Sequence, residues 1–170
     1  MFRKDLLVVI AFLIFSFTGI NAQTKFELDG NMLKLPKPIV FETGSDKINL
    51  EESKEALNHV KEYLSSKKYI TIMRIEAHAK RAGNEDKLQT LTEKRALAVA
   101  NWLVENGVDC TRILPVGFGS TKPMFANDTP EANQNNRVEF YNAELAKHAI
   151  GGMPLDGGGK VVEGFCKEKN

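Results

Sequence analysis

Beyond its apolar start, this chain repeats apolar residues at a helical period in only two stretches, and its β-rich runs are distributed around them. In the first stretch Leu50, Leu57, Val60 and Leu64 recur at spacings of seven, three and four. Asn49 stands where an N-cap would, Glu51 and Glu52 follow in the first turn, and Lys67-Lys68 closes the run with the charge the C-terminal dipole favours. The second stretch runs from about Lys87 to Glu105 on Leu88, Leu91, Val99, Trp102 and Leu103, and Asn106-Gly107 stops it. Four runs read as strands: Pro38-Ile39-Val40-Phe41, Tyr69 to Ile75, Ile113 to Val116 and Arg137 to Tyr141. The order is therefore β-α-β-α-β-β. Two helices cannot cover both faces of a sheet, which predicts a two-layer α/β (α+β) sandwich, a mixed sheet with both helices on one face. Pro115 places its strand at a start or an edge.

The ends of the chain read differently. Arg3 and Lys4 precede an apolar run from Leu6 to Ile20, and small Ala22 suits the position before a cut. That is the layout of a secretory signal peptide over residues 1–22, and the run is shorter than the roughly 20 residues a bilayer span needs. A retained anchor is the alternative. Removal takes Arg3, Lys4 and Asp5, leaving a mature chain that is formally neutral and carries no transmembrane segment. Such a balance speaks against nucleic acid as a partner, which calls for a basic excess. Residues 23–36 form a lead-in with a turn at Asp29-Gly30-Asn31, residues 37–145 the domain, and residues 146–170 a Gly-rich tail expected to be flexible. Export would place Cys110 and Cys166 where a disulfide persists, and a bridge would tie that tail down; two free thiols are the other reading.

Arg95 is the residue that asks for an explanation. It sits four positions after Leu91 and four before Val99, on the face that carries the apolar stripe. An arginine there snorkels, pairs with a carboxylate, or binds an anion, and its guanidinium suits a bidentate grip on a carboxylate. Enzymatic readings are thin. His59, His78 and His148 show no metal-ligand spacing, His59 reads as plain surface, and His78 reads as a residue that orients the loop beside it. No serine occupies a nucleophile elbow, and Gly117-Phe118-Gly119 lacks the later glycine of a phosphate cradle. No catalytic residue, metal or cofactor is expected.

From about Ile39 to Tyr141 the chain resembles the C-terminal domain of outer-membrane protein A (OmpA) and its relatives in lipoproteins and flagellar stators. Ile39-Val40-Phe41-Glu42-Thr43-Gly44-Ser45-Asp46-Lys47-Ile48 is similar to the family's opening strand and turn. Leu91-Thr92-Glu93-Lys94-Arg95-Ala96-Leu97-Ala98-Val99 resembles its Leu-Ser-x-x-Arg-Ala-x-x-Val helix. Gly117-Phe118-Gly119-Ser120-Thr121-Lys122-Pro123 resembles its Gly-x-Gly-x-x-x-Pro turn, and Asn135-Asn136-Arg137-Val138-Glu139-Phe140 its closing strand. The resemblance implies non-covalent binding of peptidoglycan through the diaminopimelate of the stem peptide. It assigns the carboxylate grip to Arg95, with Phe41, His78, Asn135 and Arg137 shaping the pocket. It also implies a periplasmic or cell-envelope setting of the Gram-negative kind, with any outer-membrane attachment made through a partner.

One departure bears on that function. The family's Gly-His-Thr-Asp-x-x-Gly loop corresponds to Ala77-His78-Ala79-Lys80-Arg81-Ala82-Gly83, so Lys80 stands where an aspartate would receive the ligand's ammonium. Leu88 likewise replaces the asparagine before the helix motif. Losing a charge-assisted contact costs roughly 1.5–3 kcal/mol, and reversing its sign costs more. A compensating carboxylate would have to come from Glu76, Glu85, Asp86 or Glu42. Two functions follow: an envelope module that docks weakly on diaminopimelate-type peptidoglycan, or a scaffold of the same fold that binds an envelope protein instead.

Overall fold

A computed structural model describes residues 25–151 and 157–166, so the segment read as a signal peptide lies outside the described residues. Both helical periods form. Helix α1 (Leu50–Ser66) is capped by Asn49, whose Oδ1 accepts from the Glu52 amide at 3.3 Å while its own amide donates back to the Glu52 carboxylate. Such reciprocal caps contribute about 1 kcal/mol. Helix α2 (Glu85–Glu105) starts two residues before the expected Lys87, because Asn84 Oδ1 accepts from Lys87 N at 3.0 Å and Glu85 and Asp86 fill the first turn.

The strands are β1 (Leu28–Asp29), β2 (Met32–Leu33), β3 (Ile70–His78), β4 (Ile113–Gly117), β5 (Arg137–Leu145), β6 (His148–Ala149) and β7 (Lys160–Val161). They form one mixed sheet in the order β1-β2-β5-β3-β4-β7, with β6 also pairing β5. β3 lies parallel to β4 and antiparallel to β5, which makes it the central strand. Alternation along β3 sends Met73, Ile75 and Ala77 into one core with Leu57, Val60 and Leu64 of α1 and Ala96, Val99 and Leu103 of α2. Both helices therefore cover the same face. Asn142 of β5 also points to that side and donates to the Tyr63 hydroxyl of α1 at 2.8 Å.

Three sequence expectations are corrected. Pro38 to Phe41 is not a strand: Phe41 makes only an isolated bridge to Ile48. Val40 instead gives its N–H to Ser53 Oγ and receives Asn49 N on its carbonyl, so the start of α1 uses the groups a sheet neighbour would need. β3 and β5 run further than the hydrophobic pattern suggests, because the polar residues that seem to end them are buried: Glu76 and His78 of β3 on the sheet's other face, Asn142 of β5 against Tyr63. The Gly-rich tail is docked where it is described. β7 pairs antiparallel with β4, and Cys166 is joined to Cys110 with a Cα–Cα distance of 5.5 Å. Pro115 fits this edge. Its carbonyl accepts from Val162 N at 3.0 Å, so its hydrogen-less nitrogen faces the same outer side, where the added strand is only two residues long.

Candidate functional site

The chain leaves β3 at His78 and reaches α2 through the loop 79–84, and this loop faces the extended segment 38–44. Between them lies a cavity of about 460 Å³, floored by Leu88, Leu91 and Phe41 and bounded by Lys80, Arg95, Asn136 and Arg137. The loop is pinned by its backbone: Ala79 N donates to Gly119 O at 2.8 Å and Lys80 N to Asn136 Oδ1 at 3.0 Å. The opposite wall is fixed by Ser53 and Asn49 of α1. α2 is held to the sheet by Gln89, which donates to Gly117 O at 2.8 Å, and by Thr92, whose hydroxyl accepts from Gly119 N at 2.9 Å.

Arg95 is only 9% exposed. Its Nε donates to Ser45 O at 2.9 Å and its guanidinium carbon lies 4.8 Å from the centre of the Phe41 ring. Among the described residues no carboxylate forms a salt bridge with it, and its Nη atoms donate to no neighbour. Burial pushes this guanidinium below its ordinary value, with Asp46 acting weakly in the opposite sense. A guanidinium that is desolvated, stacked and held by one backbone bond has the chemistry to receive an anion. Lys80, half-buried at the same cavity, has Nζ 3.3 Å from Asn133 Oδ1 and likewise no salt bridge.

The other residues singled out in the sequence separate into two groups. Phe41 and Arg137 line the cavity, and so does Leu88. Arg137 is already committed, with Nε 2.8 Å from Glu139 Oε1 and its Nη atoms 3.3 Å from Lys122 O. Asn135 and His78 do not line it. Asn135 is buried with its amide spent on the backbone of Met124 and Phe125, so it acts on the pocket only by fixing the loop before β5. His78 falls on the back face of the sheet by the alternation of β3 and stacks on Phe118 with ring centres 5.0 Å apart. His59 is half-buried against Phe26 at 4.9 Å rather than plain surface, and burial pushes its imidazole down.

His78 belongs to a second polar cluster that the sequence pattern did not reveal. Its Nε2 is 3.2 Å from Glu139 Oε2 and 3.5 Å from Glu76 Oε2. Three such residues have the donor set for a metal ion. Here, however, Arg74 sits on Glu76 and Arg137 on Glu139, so each carboxylate is already neutralised by a guanidinium. Burial would raise the Glu139 carboxyl, but His78 and Arg137 outweigh it and hold it at about 2; Glu76 is lowered in the same way by His78 and Arg74. Tyr141 is pushed up to about 12 by burial and by these carboxylates. The cluster is a charge-balanced network within the fold.

The carboxylates considered as substitutes for the missing aspartate are accounted for as well. Glu76 is on the back face, and Glu85 accepts from Ser120 N at 2.8 Å and from the Ser120 hydroxyl. Asp86 lines a neighbouring cleft with Asp46, and Glu42, the only one at the cavity, is paired with Lys47 at 2.6 Å. Among the described residues, no helix is long and apolar enough to cross a membrane.

Comparison with known proteins places this arrangement. The OmpA family profile matches residues 40–137. The peptidoglycan-binding protein ArfA of Mycobacterium bovis is 35% identical over 105 residues, covering 61% of this chain and 31% of ArfA. A stretch of 121 residues, 65% of the chain, is 32% identical to 13% of the photosystem I P700 chlorophyll a apoprotein A2 of Gloeobacter violaceus. The chain thus spans less than a third of the length of these curated relatives. Among solved structures, an outer-membrane protein of Borrelia burgdorferi B31 superposes with a TM-score of 0.51 at 30% identity, over 68% of this chain and 93% of that one.

Proposed function

The chain belongs to the OmpA family, and from that premise we propose that it is an exported cell-envelope module that binds peptidoglycan non-covalently, its Arg95 cavity taking a carboxylate of the stem-peptide diaminopimelate. The observation that carries this reading is Arg95 itself: nine-tenths buried, in a cavity wall, with no salt-bridging carboxylate among the described residues. The peptidoglycan-binding name of ArfA supports it from the side of the relatives. An envelope location is supported by the amino-terminal signal-like segment and by the outer-membrane name of the Borrelia relative.

The test is co-sedimentation with purified diaminopimelate-type sacculi. Wild type should be retained, and Arg95→Ala should lose retention while keeping its thermal melt, since Arg95 makes only one backbone hydrogen bond within the fold. A collapsed melt would make Arg95 structural and sink the proposal. Lys80 favours a second reading, a scaffold whose two cations receive a carboxylate from an envelope protein. Absence of retention in the wild type would shift the argument to that reading.

A further inference from the structure

The charges around the cavity constrain its ligand further than a carboxylate alone. Four ionisable side chains line it: Glu42, Lys80, Arg95 and Arg137. Glu42 is neutralised by Lys47 and Arg137 by Glu139. The two left without a salt bridge among the described residues are both cations, Arg95 with Asp46 acting on it only weakly. Arg95 offers a planar fork over Phe41, and Lys80 an ammonium steadied by Asn133, on a loop whose backbone is fixed by Asn136. A ligand matching this pair presents a carboxylate to the guanidinium and a second hydrogen-bond acceptor, with no cation, to the ammonium. A free amine at that second position would meet Lys80 as a like charge in a partly desolvated site, an arrangement that disfavours binding strongly.

In a diaminopimelate peptidoglycan the side-chain amine exists in two forms: a free ammonium, or an amide once a neighbouring stem has acylated it in a cross-link. Only the amide carries a carbonyl acceptor and no charge. Resting on the wall-binding reading above, we propose that this cavity selects stem peptides whose diaminopimelate amine is acylated, and so recognises cross-linked rather than uncross-linked wall.

The experiment is a calorimetric titration of the purified protein with two muramyl tripeptides, one with a free diaminopimelate amine and one N-acetylated at that amine. Wild type should bind the acetylated peptide at least about tenfold more tightly, a difference of roughly 1.4 kcal/mol. Lys80→Asp should reverse the preference, and Lys80→Met should abolish it. Lys80 is half-buried, its backbone N–H bond to Asn136 survives substitution, and its side chain gives up only one long, exposed bond to Asn133, so these variants should keep the wild-type melt, which is recorded alongside. Equal binding of both peptides, or a wild-type preference for the free amine, with either still lost in Arg95→Ala, would overturn this inference and leave wall binding standing. Failure of both peptides to bind would overturn both.

Discussion

Replacing Gly117 by alanine should detach α2 from the sheet. A Cβ built there would lie 2.5 Å from Glu93 N, 2.7 Å from Glu93 Cγ and 2.9 Å from Glu93 Cα, against ordinary contacts of about 3.5–4 Å. Two of those atoms are helix backbone and cannot rotate away, so the helix must retreat by roughly 1 Å. Overpacking of that kind costs about 1–3 kcal/mol. The retreat also stretches the buried bond from Gln89 to Gly117 O and the one from Gly119 N to Thr92 Oγ1, each worth about 1 kcal/mol. A loss of about 3 kcal/mol is expected, read from urea unfolding followed by the fluorescence of Trp102, the single tryptophan, which itself lies on α2. Gly107→Ala is the control. Its φ of 93° strains an alanine, but nothing stands within 4 Å of the added carbon, so it should cost only about 1 kcal/mol. A Gly117→Ala variant within about 0.5 kcal/mol of wild type would refute the claim that contact, rather than conformation, demands glycine there.

The back-face network predicts a pH dependence. Glu139 is held at about 2 in the fold against an ordinary 4.5, so its contribution is fully present above about pH 4.5 and is lost as the pH falls towards 2. Allowing for the partly open side of this carboxylate, it amounts to about 2 kcal/mol. Urea midpoints should fall across that window and fall less steeply in Glu139→Gln; parallel slopes would show that the network does not carry the acid sensitivity. The bridge between Cys110 and Cys166 spans 56 residues, so Cys166→Ser should lower stability by about 2–4 kcal/mol and speed amide exchange at Lys160 and Val161. Unchanged exchange would mean that β7 docks without the covalent tie.

What the sequence disclosed and what it concealed divide along the two faces of β3. The helix-side face is apolar, and the helical period located both helices, with Asn49 marking the start of the first, while the β-rich runs located β3, β4 and β5. The back face buries Arg74, Glu76 and His78, and buried polar side chains look like surface in a hydropathy pattern, so β3 seemed to stop early. Pro38 to Phe41 misled in the opposite direction. Its residues have β propensity, but whether its backbone pairs with a strand or with Ser53 and Asn49 is decided by tertiary geometry. In the site, Arg95 was legible because a charge on an apolar stripe needs a reason. Ser45, whose carbonyl receives it, and Asn136, whose amide fixes the Lys80 loop, had no local signal.

The arginines of this chain offer an internal standard for that reason. Arg112 gives its guanidinium to the carbonyls of Leu64, Lys67 and Ile70, closing the end of α1 against the start of β3. Arg74 and Arg137 each hold a glutamate on the back face. All three are used up by the fold, and truncating any of them would strand buried acceptors or carboxylates. Arg95 is about as buried as Arg74, yet the fold returns it one carbonyl and an aromatic face. Desolvating a guanidinium for so little within the chain is unfavourable, and a bound anion would offset that cost. Under the proposal made above, Lys80, placed at the same cavity where the family resemblance leads one to expect a carboxylate, then selects what accompanies the anion: a second acceptor rather than an ammonium.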